Sequence, residues 1–306
     1  MAAVRRALAR HPPYDVTFTM FGPDYSHRRS ARRIVGFADG TSLIPEYADR
    51  ATGPVGRAKG ATRRLVSRTA FRTADRLVVE SPHLVDELRT RWSISVPISL
   101  VPNVVNSVFY DADAQESVSL PALASPTLFF PTRAYAHKNL PFLGQVGLEL
   151  LRRHGRRPTF VLTLTDAEWE CLPTVTREFS ANLGPVHVRQ LPSLYRASDA
   201  AIFPSLLESQ SVTPLEALAT GCPLLASDRP FVRSVVGEAA WYFDPCDPVS
   251  AADAVDSMVG DPPERARRRD LGLALMATWP TASARAAAYL DVITEELNVV
   301  AVSGSE

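Results

Sequence analysis

The sequence has little cysteine, and what it has is poorly placed for a framework. Cys171, Cys222 and Cys246 are odd in number across 306 residues and lack metal-ligand spacing. That excludes a disulfide scaffold and a thiolate zinc site, and it fits a reducing cytoplasm. The six histidines lie far apart with no His-x-x-x-His pair, so no metal is expected. No apolar run approaches the roughly 20 residues of a membrane-spanning helix. Arg5, Arg6 and Arg10 lead into His11-Pro12-Pro13 with no apolar stretch behind them, which makes a poor secretory signal. No Gly-x-Gly-x-x-Gly follows a strand, and Gly-x-x-x-x-Gly-Lys-Ser/Thr is absent. Dinucleotide dehydrogenases and P-loop NTPases are thereby set aside. With 33 basic and 33 acidic residues the net charge is zero, so the whole molecule offers no general attraction to nucleic acid or membrane.

Charge is nevertheless unevenly spread. From Met1 to Arg76 there are 15 Lys or Arg against 6 Asp or Glu, with clusters at Arg28-Arg29, Arg32-Arg33 and Arg63-Arg64. This first quarter reads either as a solvated surface or as a contact for anionic lipid or a charged acceptor, peripheral to the inner membrane face. The length predicts two domains. Expected elements alternate between strand and helix: a helix over 2–10, strands at 16–21, 34–37, 76–80 and 98–101, and a basic helix over 57–73. Residues 111–126 are polar, Ala/Ser/Pro-rich and aperiodic, which marks a boundary. Six further short strands, near 127–131, 159–164, 186–189, 200–203, 223–227 and 240–243, alternate with helices. That pattern argues for an α/β fold with doubly wound parallel sheets. The reading is therefore a shortened first domain over 1–118, a second domain over 119–280, and a last helix over 281–306 that packs back on the first.

Two segments carry chemistry. In the first, 203–223, a strand ends at Pro204-Ser205 and a polar loop runs to Thr213. A helix then starts at Pro214, with Thr213 and Glu216 patterned as a capping box. Gly221 and Pro223 close the helix. A strand–loop–helix of this kind presents unpaired N–H groups to an anion. In the second, 128–140, Arg133 and Lys138 follow a strand. Two cations there can neutralise a diphosphate leaving group without a metal, although either could also be an ordinary solvated loop cation. Glu216 alone could merely cap its helix, and Glu208 alone could be a loop carboxylate in water. Ser81-Pro82-His83 reads as a helix start with a surface histidine.

Taken together and in this order, the two segments resemble the family 4 retaining glycosyltransferases, group 1, of GT-B architecture. The family's Glu-x7-Glu motif falls on Glu208 and Glu216, and its Gly-Arg…Lys loop on Thr132-Arg133…Lys138. Pro214-Leu215-Glu216-Ala217, Gly221-Cys222-Pro223 and Leu194-Tyr195 also match. The resemblance implies two Rossmann-like domains facing a cleft, and metal-independent transfer of a hexose from a nucleotide-diphosphate sugar to a hydroxyl acceptor, with retention, in glycan biosynthesis. It implies no cofactor beyond the donor, and a glycan or lipid-linked acceptor. Arg133 and Lys138 would then hold the diphosphate, Glu216 the ribose, and Glu208 the transferred sugar. Backbone N–H groups of Ser209, Gln210, Ser211 and Val212 would hold sugar hydroxyls and phosphate oxygens.

Three departures stand out. Ser209-Gln210-Ser211 replaces the family's Gly-Phe-Gly, and Thr132 replaces a glycine; both substitutions are costly where glycine supplies positive φ or close approach. No opening strand with a Gly-rich turn is found, so the first domain is expected to be incomplete. A non-catalytic or partner-dependent nucleotide-sugar module is the main alternative, and a phosphorylase or epimerase on the same plan is a weaker one.

Overall fold

The computed structural model describes residues 14–24, 30–44 and 54–303. The helix expected over 2–10 and the Arg28-Arg29 cluster lie outside the described residues. The chain divides into two compact units, residues 1–103 with 282–306, and residues 104–281.

The first unit carries a four-stranded parallel sheet in sequential order: β1 (Tyr14–Thr19), β2 (Ser30–Phe37), β3 (Arg76–Val79) and β4 (Ile98–Leu100). Its helices are α1 (Gly40–Leu43), α2 (Pro54–Arg72) and α3 (Pro82–Trp92). Ile34, Val35, Leu77, Val78 and Val79 are buried, as expected for parallel strands covered on both faces. Helix α2 has six cations and no acid in its sequence, and Leu65 and Val66 are exposed. Part of the basic surplus is paired within the unit: Arg63 bonds Asp39, Arg33 stands 4.0 Å from Asp24, and Arg32 and Arg76 both bond Glu296. His83 is buried rather than a surface histidine, because Ser81 Oγ lies 2.8 Å from its Nδ1 and satisfies it at the helix start. Burial lowers its pKa to about 4, against the nearby Asp86.

The second unit holds a six-stranded parallel sheet of β5 (Thr127–Phe130), β6 (Thr159–Leu162), β7 (Ser180–Asn182), β8 (Ala200–Phe203), β9 (Leu224–Ser227) and β10 (Ala240–Phe243). The spatial order is β10-β9-β8-β5-β6-β7. Chain order thus runs outward from β5 to one edge and then returns to β8 for the other. The order reverses between β5 and β8, and a doubly wound sheet binds its ligands at the carboxyl ends of the strands there. The intervening helices are α4 (Leu140–His154), α5 (Asp166–Glu170), α6 (Thr174–Glu178), α7 (Leu191–Ala197), α8 (Thr213–Ala219), α9 (Pro230–Val236), α10 (Pro248–Gly260) and α11 (Pro262–Thr278). Every residue of β5, β8 and β9 is buried. Helix α4 lies close on the α6 region through two small residues. A Cβ at Gly144 would stand 2.7 Å from the Thr176 backbone nitrogen, and one at Gly147 would stand 2.4 Å from the Phe179 ring.

Two sequence expectations are corrected here. The strand expected at 186–189 is absent: Val188–Gln190 is a 3-10 turn whose capping box joins His187 to Gln190. The edge strand lies earlier, at Ser180–Asn182, where Asn182 bonds both the N–H and the carbonyl of Leu164. An edge strand can be this polar because it buries only one side, and an apolar-run criterion passes over it. The unit boundary also falls earlier than 118/119. Val105, Val108 and Phe109 join the core of the second unit, and Asn106 caps the Ser107–Tyr110 turn. A polar composition at 111–126 marks exposure, not the division.

Helix α12 (Ala282–Ser303) belongs to the first unit. Its Val292, Ala288, Tyr289 and Ile293 pack with Val16, Phe18, Ile34, Val78 and Val101 of the sheet.

Candidate functional site

The loops after β5 and β8 are bound to each other. The Leu206 N–H donates to the His137 carbonyl at 2.7 Å, and Asn139 Nδ2 donates to the carbonyls of Pro245 at 2.8 Å and Pro204 at 3.3 Å. Asn139 has a positive φ, which asparagine tolerates. This stitching places Lys138 beside Glu208, with Nζ 2.6 Å from Oε1 and both side chains mostly covered. His137 Nε2 stands 3.7 Å from the same oxygen, and Lys138 Nζ lies 5.5 Å from the centre of the Phe203 ring. Burial lowers the His137 pKa, against Glu208, which raises it. At this spacing a near-neutral imidazole leaves Lys138 as the principal cation on Glu208.

Arg133 belongs to a separate contact. Its Nε donates to both oxygens of Glu168, at 2.8 and 3.0 Å, while much of the side chain remains exposed. No hydrogen bond among the described residues ties it to Lys138 or Glu208. Thr132, in the glycine position of the resemblance, is buried. Its N–H donates to Thr163 Oγ1 at 3.0 Å, and its hydroxyl donates to the Arg133 carbonyl.

Glu216 sits on α8, 93% removed from solvent by relative area. It accepts a bond from the Tyr195 hydroxyl at 3.1 Å. The expected capping box is therefore corrected. Val212 is the cap residue, without a side-chain bond, and Glu216 turns inward instead of back to its own helix start. A carboxyl so placed is costly to ionise. Burial pushes its pKa up to about 7, although the Tyr195 bond acts the other way.

The folded state thus holds this proton more tightly than the unfolded chain does, between pH values of about 4.5 and about 7. The stability contributed by the neutral acid is complete below the lower value and is lost as the pH rises through the upper one. Glu216→Gln keeps an oxygen for Tyr195 and removes the charge. We expect it to raise the melting temperature at pH 8 by a few degrees and to leave that at pH 5 nearly unchanged, as thermal scans at the two pH values would reveal. A gain of equal size at both would contradict this account of Glu216.

Gln210 is buried and Ser209, Ser211 and Val212 are half-buried along the loop. None of the residues 209–211 takes a positive φ. The strain expected from replacing Gly-Phe-Gly with Ser-Gln-Ser therefore does not arise. Sequence reasoning passed over Glu168, whose signal was the Thr165-Asp-Ala-Glu168 capping pattern. The box is present and the same carboxylate reaches Arg133, 35 residues away.

Comparison with known proteins bears on this geometry. The model of the family "Glycosyl transferases group 1" matches residues 182–272, which contain Glu208, Glu216 and α8. A D-inositol 3-phosphate glycosyltransferase of Corynebacterium urealyticum is 28% identical over 166 residues, covering 50% of this chain and 39% of that protein. The chain spans less than half the length of the curated relatives that it matches. Among solved structures, sucrose-phosphate synthase from Thermosynechococcus elongatus superposes with a TM-score of 0.74 at 16% identity, covering 97% of this chain and 77% of that one. A trehalose-6-phosphate structure from E. coli bound with UDP-2-fluoro glucose gives 0.68 at 14% identity, with coverages of 97% and 76%. The family match lies within residues 182–272, and the solved structures show the fold of the chain, an α/β fold with parallel sheets of the GT-B type.

Proposed function

We propose that the chain transfers a hexose from a nucleotide-diphosphate sugar to a hydroxyl acceptor, with retention of configuration and without a metal. The observation that carries this is that two cations and the Glu208 carboxylate lie on the loops after β5 and β8, where the sheet order reverses, with Glu216 in the first turn of the helix that follows. Arg133 and Lys138 take the diphosphate and stabilise its charge as the bond to the sugar breaks. Glu208 meets the transferred sugar, and Glu216 accepts bonds from the ribose hydroxyls. The sugar C1–oxygen bond to the diphosphate breaks, and a bond to the acceptor oxygen forms on the same face. The acceptor proton passes to the departing diphosphate, so no protein base is required. The cations and exposed Leu65 and Val66 of α2 support an anionic or lipid-borne acceptor.

The test is the anomeric configuration of the product formed from a defined nucleotide sugar, read by NMR. A product with the donor's configuration agrees with this reading, and an inverted one overturns it. A second reading, in which the chain binds a nucleotide sugar without transfer, rests on Ser209 and Ser211 carrying side chains where the resemblance has glycines. Those side chains limit close approach to the backbone, although the backbone itself is unstrained. Tight donor binding with no product would select it.

A further inference from the structure

Arg133 is held by one edge only. Both of its bonds to Glu168 leave from Nε, and its two Nη groups have no partner among the described residues. Glu168 in turn is fixed from several directions. The N–H of Ala134 donates to Oε1 at 3.1 Å, while the N–H and hydroxyl of Thr165 donate to Oε2 at 3.0 and 2.9 Å. Partial burial would push this carboxyl's pKa up, but the Thr165 and Ala134 N–H groups, the Arg133 guanidinium and the Thr165 hydroxyl outweigh it and hold it at about 2. The carboxylate is therefore ionised and fixed at any working pH.

We infer that Glu168 is a positioning residue for the donor, gripping Arg133 at Nε so that its two Nη groups stay open and oriented for the diphosphate. This rests on the donor-site reading above. A guanidinium recognises phosphate through paired parallel N–H donors, and Glu168 leaves such a pair unused.

Two opposing effects decide whether this helps. A free arginine side chain must be ordered to bind, a cost equivalent to a factor of up to about 30, and Glu168 removes most of it in advance. Against this, the Glu168 charge repels the diphosphate. At a separation of about 6 Å in a water-like dielectric, that repulsion is worth a factor of about 3 for each unit charge. A diphosphate carries about two, and screening over about 8 Å at physiological salt roughly halves the energy, which brings the whole back to a factor of about 3. Ordering wins by about tenfold.

The experiment is calorimetric titration of the whole chain with UDP, GDP and the matching nucleoside monophosphates, on wild type, Glu168→Gln, Glu168→Ala, Arg133→Ala and the double variant Arg133→Ala/Glu168→Ala. Gln can still fill the capping box, so Glu168→Gln guards against a variant that merely misfolds. The expected result is about tenfold weaker diphosphate binding in Glu168→Ala, an intermediate loss in Glu168→Gln, and a smaller effect on the monophosphate. Once Arg133 is already alanine, Glu168→Ala should cause no further loss and should tighten binding by up to about threefold, because only the repulsion is left to remove. Unchanged or tighter diphosphate binding in Glu168→Ala would overturn the proposal while leaving the donor site standing. So would a loss that persists in the Arg133→Ala background, which would mark Glu168 as merely structural. A wild type that binds no nucleotide would overturn both the donor site and this inference.

Discussion

Lys138→Ala and Glu208→Gln are each expected to lower the rate of transfer by about two to three orders of magnitude. Removing one preorganised group that stabilises developing charge typically costs that much. In the proposed reaction charge develops on the departing diphosphate, and Lys138 is a cation already delivered to the carboxyl end of β8 by the Asn139 and Leu206 bonds. The two variants disturb the fold differently. Lys138→Ala leaves a largely covered Glu208 carboxylate without its 2.6 Å partner, whereas Glu208→Gln leaves a lysine that can still reach solvent or phosphate. Both losses should therefore be read in variants whose melting temperatures are checked beside the wild type, by following nucleoside diphosphate release. Arg133→Ala gives a third reading free of that complication, because the side chain is exposed. Wild-type rates in all three would refute the assigned roles.

Glu296→Ala is expected to destabilise the first unit by about 3 kcal/mol, the lower end of what removing one partner of a buried ion pair costs. Glu296 on α12 is 1% exposed and takes the Nε of Arg32 at 2.6 Å and that of Arg76 at 2.7 Å. Its burial raises the carboxyl pKa, but the two guanidinium bonds prevail and lower it overall. Deleting it takes the shortest contact from two cations on neighbouring strands β2 and β3, leaving Arg32 with Asp75 at 3.4 Å and Arg76 with Glu295 and Ser99, each at 2.9 Å. Arg32 and Arg76 remain partly exposed and can recover some hydration, which keeps the cost at the lower end. Glu295, one residue away, also bonds Arg76 but is 58% exposed. Glu295→Ala should accordingly cost under about 1 kcal/mol. Denaturant unfolding of the two variants tests the contrast, and similar shifts would contradict it.

These residues also mark what was legible in the sequence. The Arg133…Lys138 and Glu208…Glu216 segments could be read because each follows its strand directly and keeps its chemistry within a few residues. Strands buried on both faces, such as Leu128-Phe129-Phe130 and Ala200–Phe203, announce themselves as apolar runs. What could not be read depends on partners distant in sequence. Glu296 finds Arg32 264 residues away, and Glu216 turns to Tyr195 in preference to its own helix cap. The capping pattern at Thr213 was real as a spelling, but the apolar surroundings of α8 and the Tyr195 hydroxyl offered the carboxyl a different partner. The pattern at Thr165–Glu168 was equally visible and does form, which shows that a local motif marks a possibility that tertiary contacts then accept or override. Strand β7 was missed for a related reason, since its Ser-Ala-Asn sequence lies at a sheet edge where apolar burial is not demanded.

The most direct test of the central claim is a calorimetric and thermal-shift titration of the purified chain with UDP, GDP and their common sugar conjugates. The account predicts that one nucleotide binds and raises the melting temperature in proportion to its occupancy, and that Arg133→Ala and Glu216→Ala each weaken that binding and shrink the shift. Binding to none of them, under conditions where the second unit is folded, would contradict the claim that the loops after β5 and β8 form a donor site.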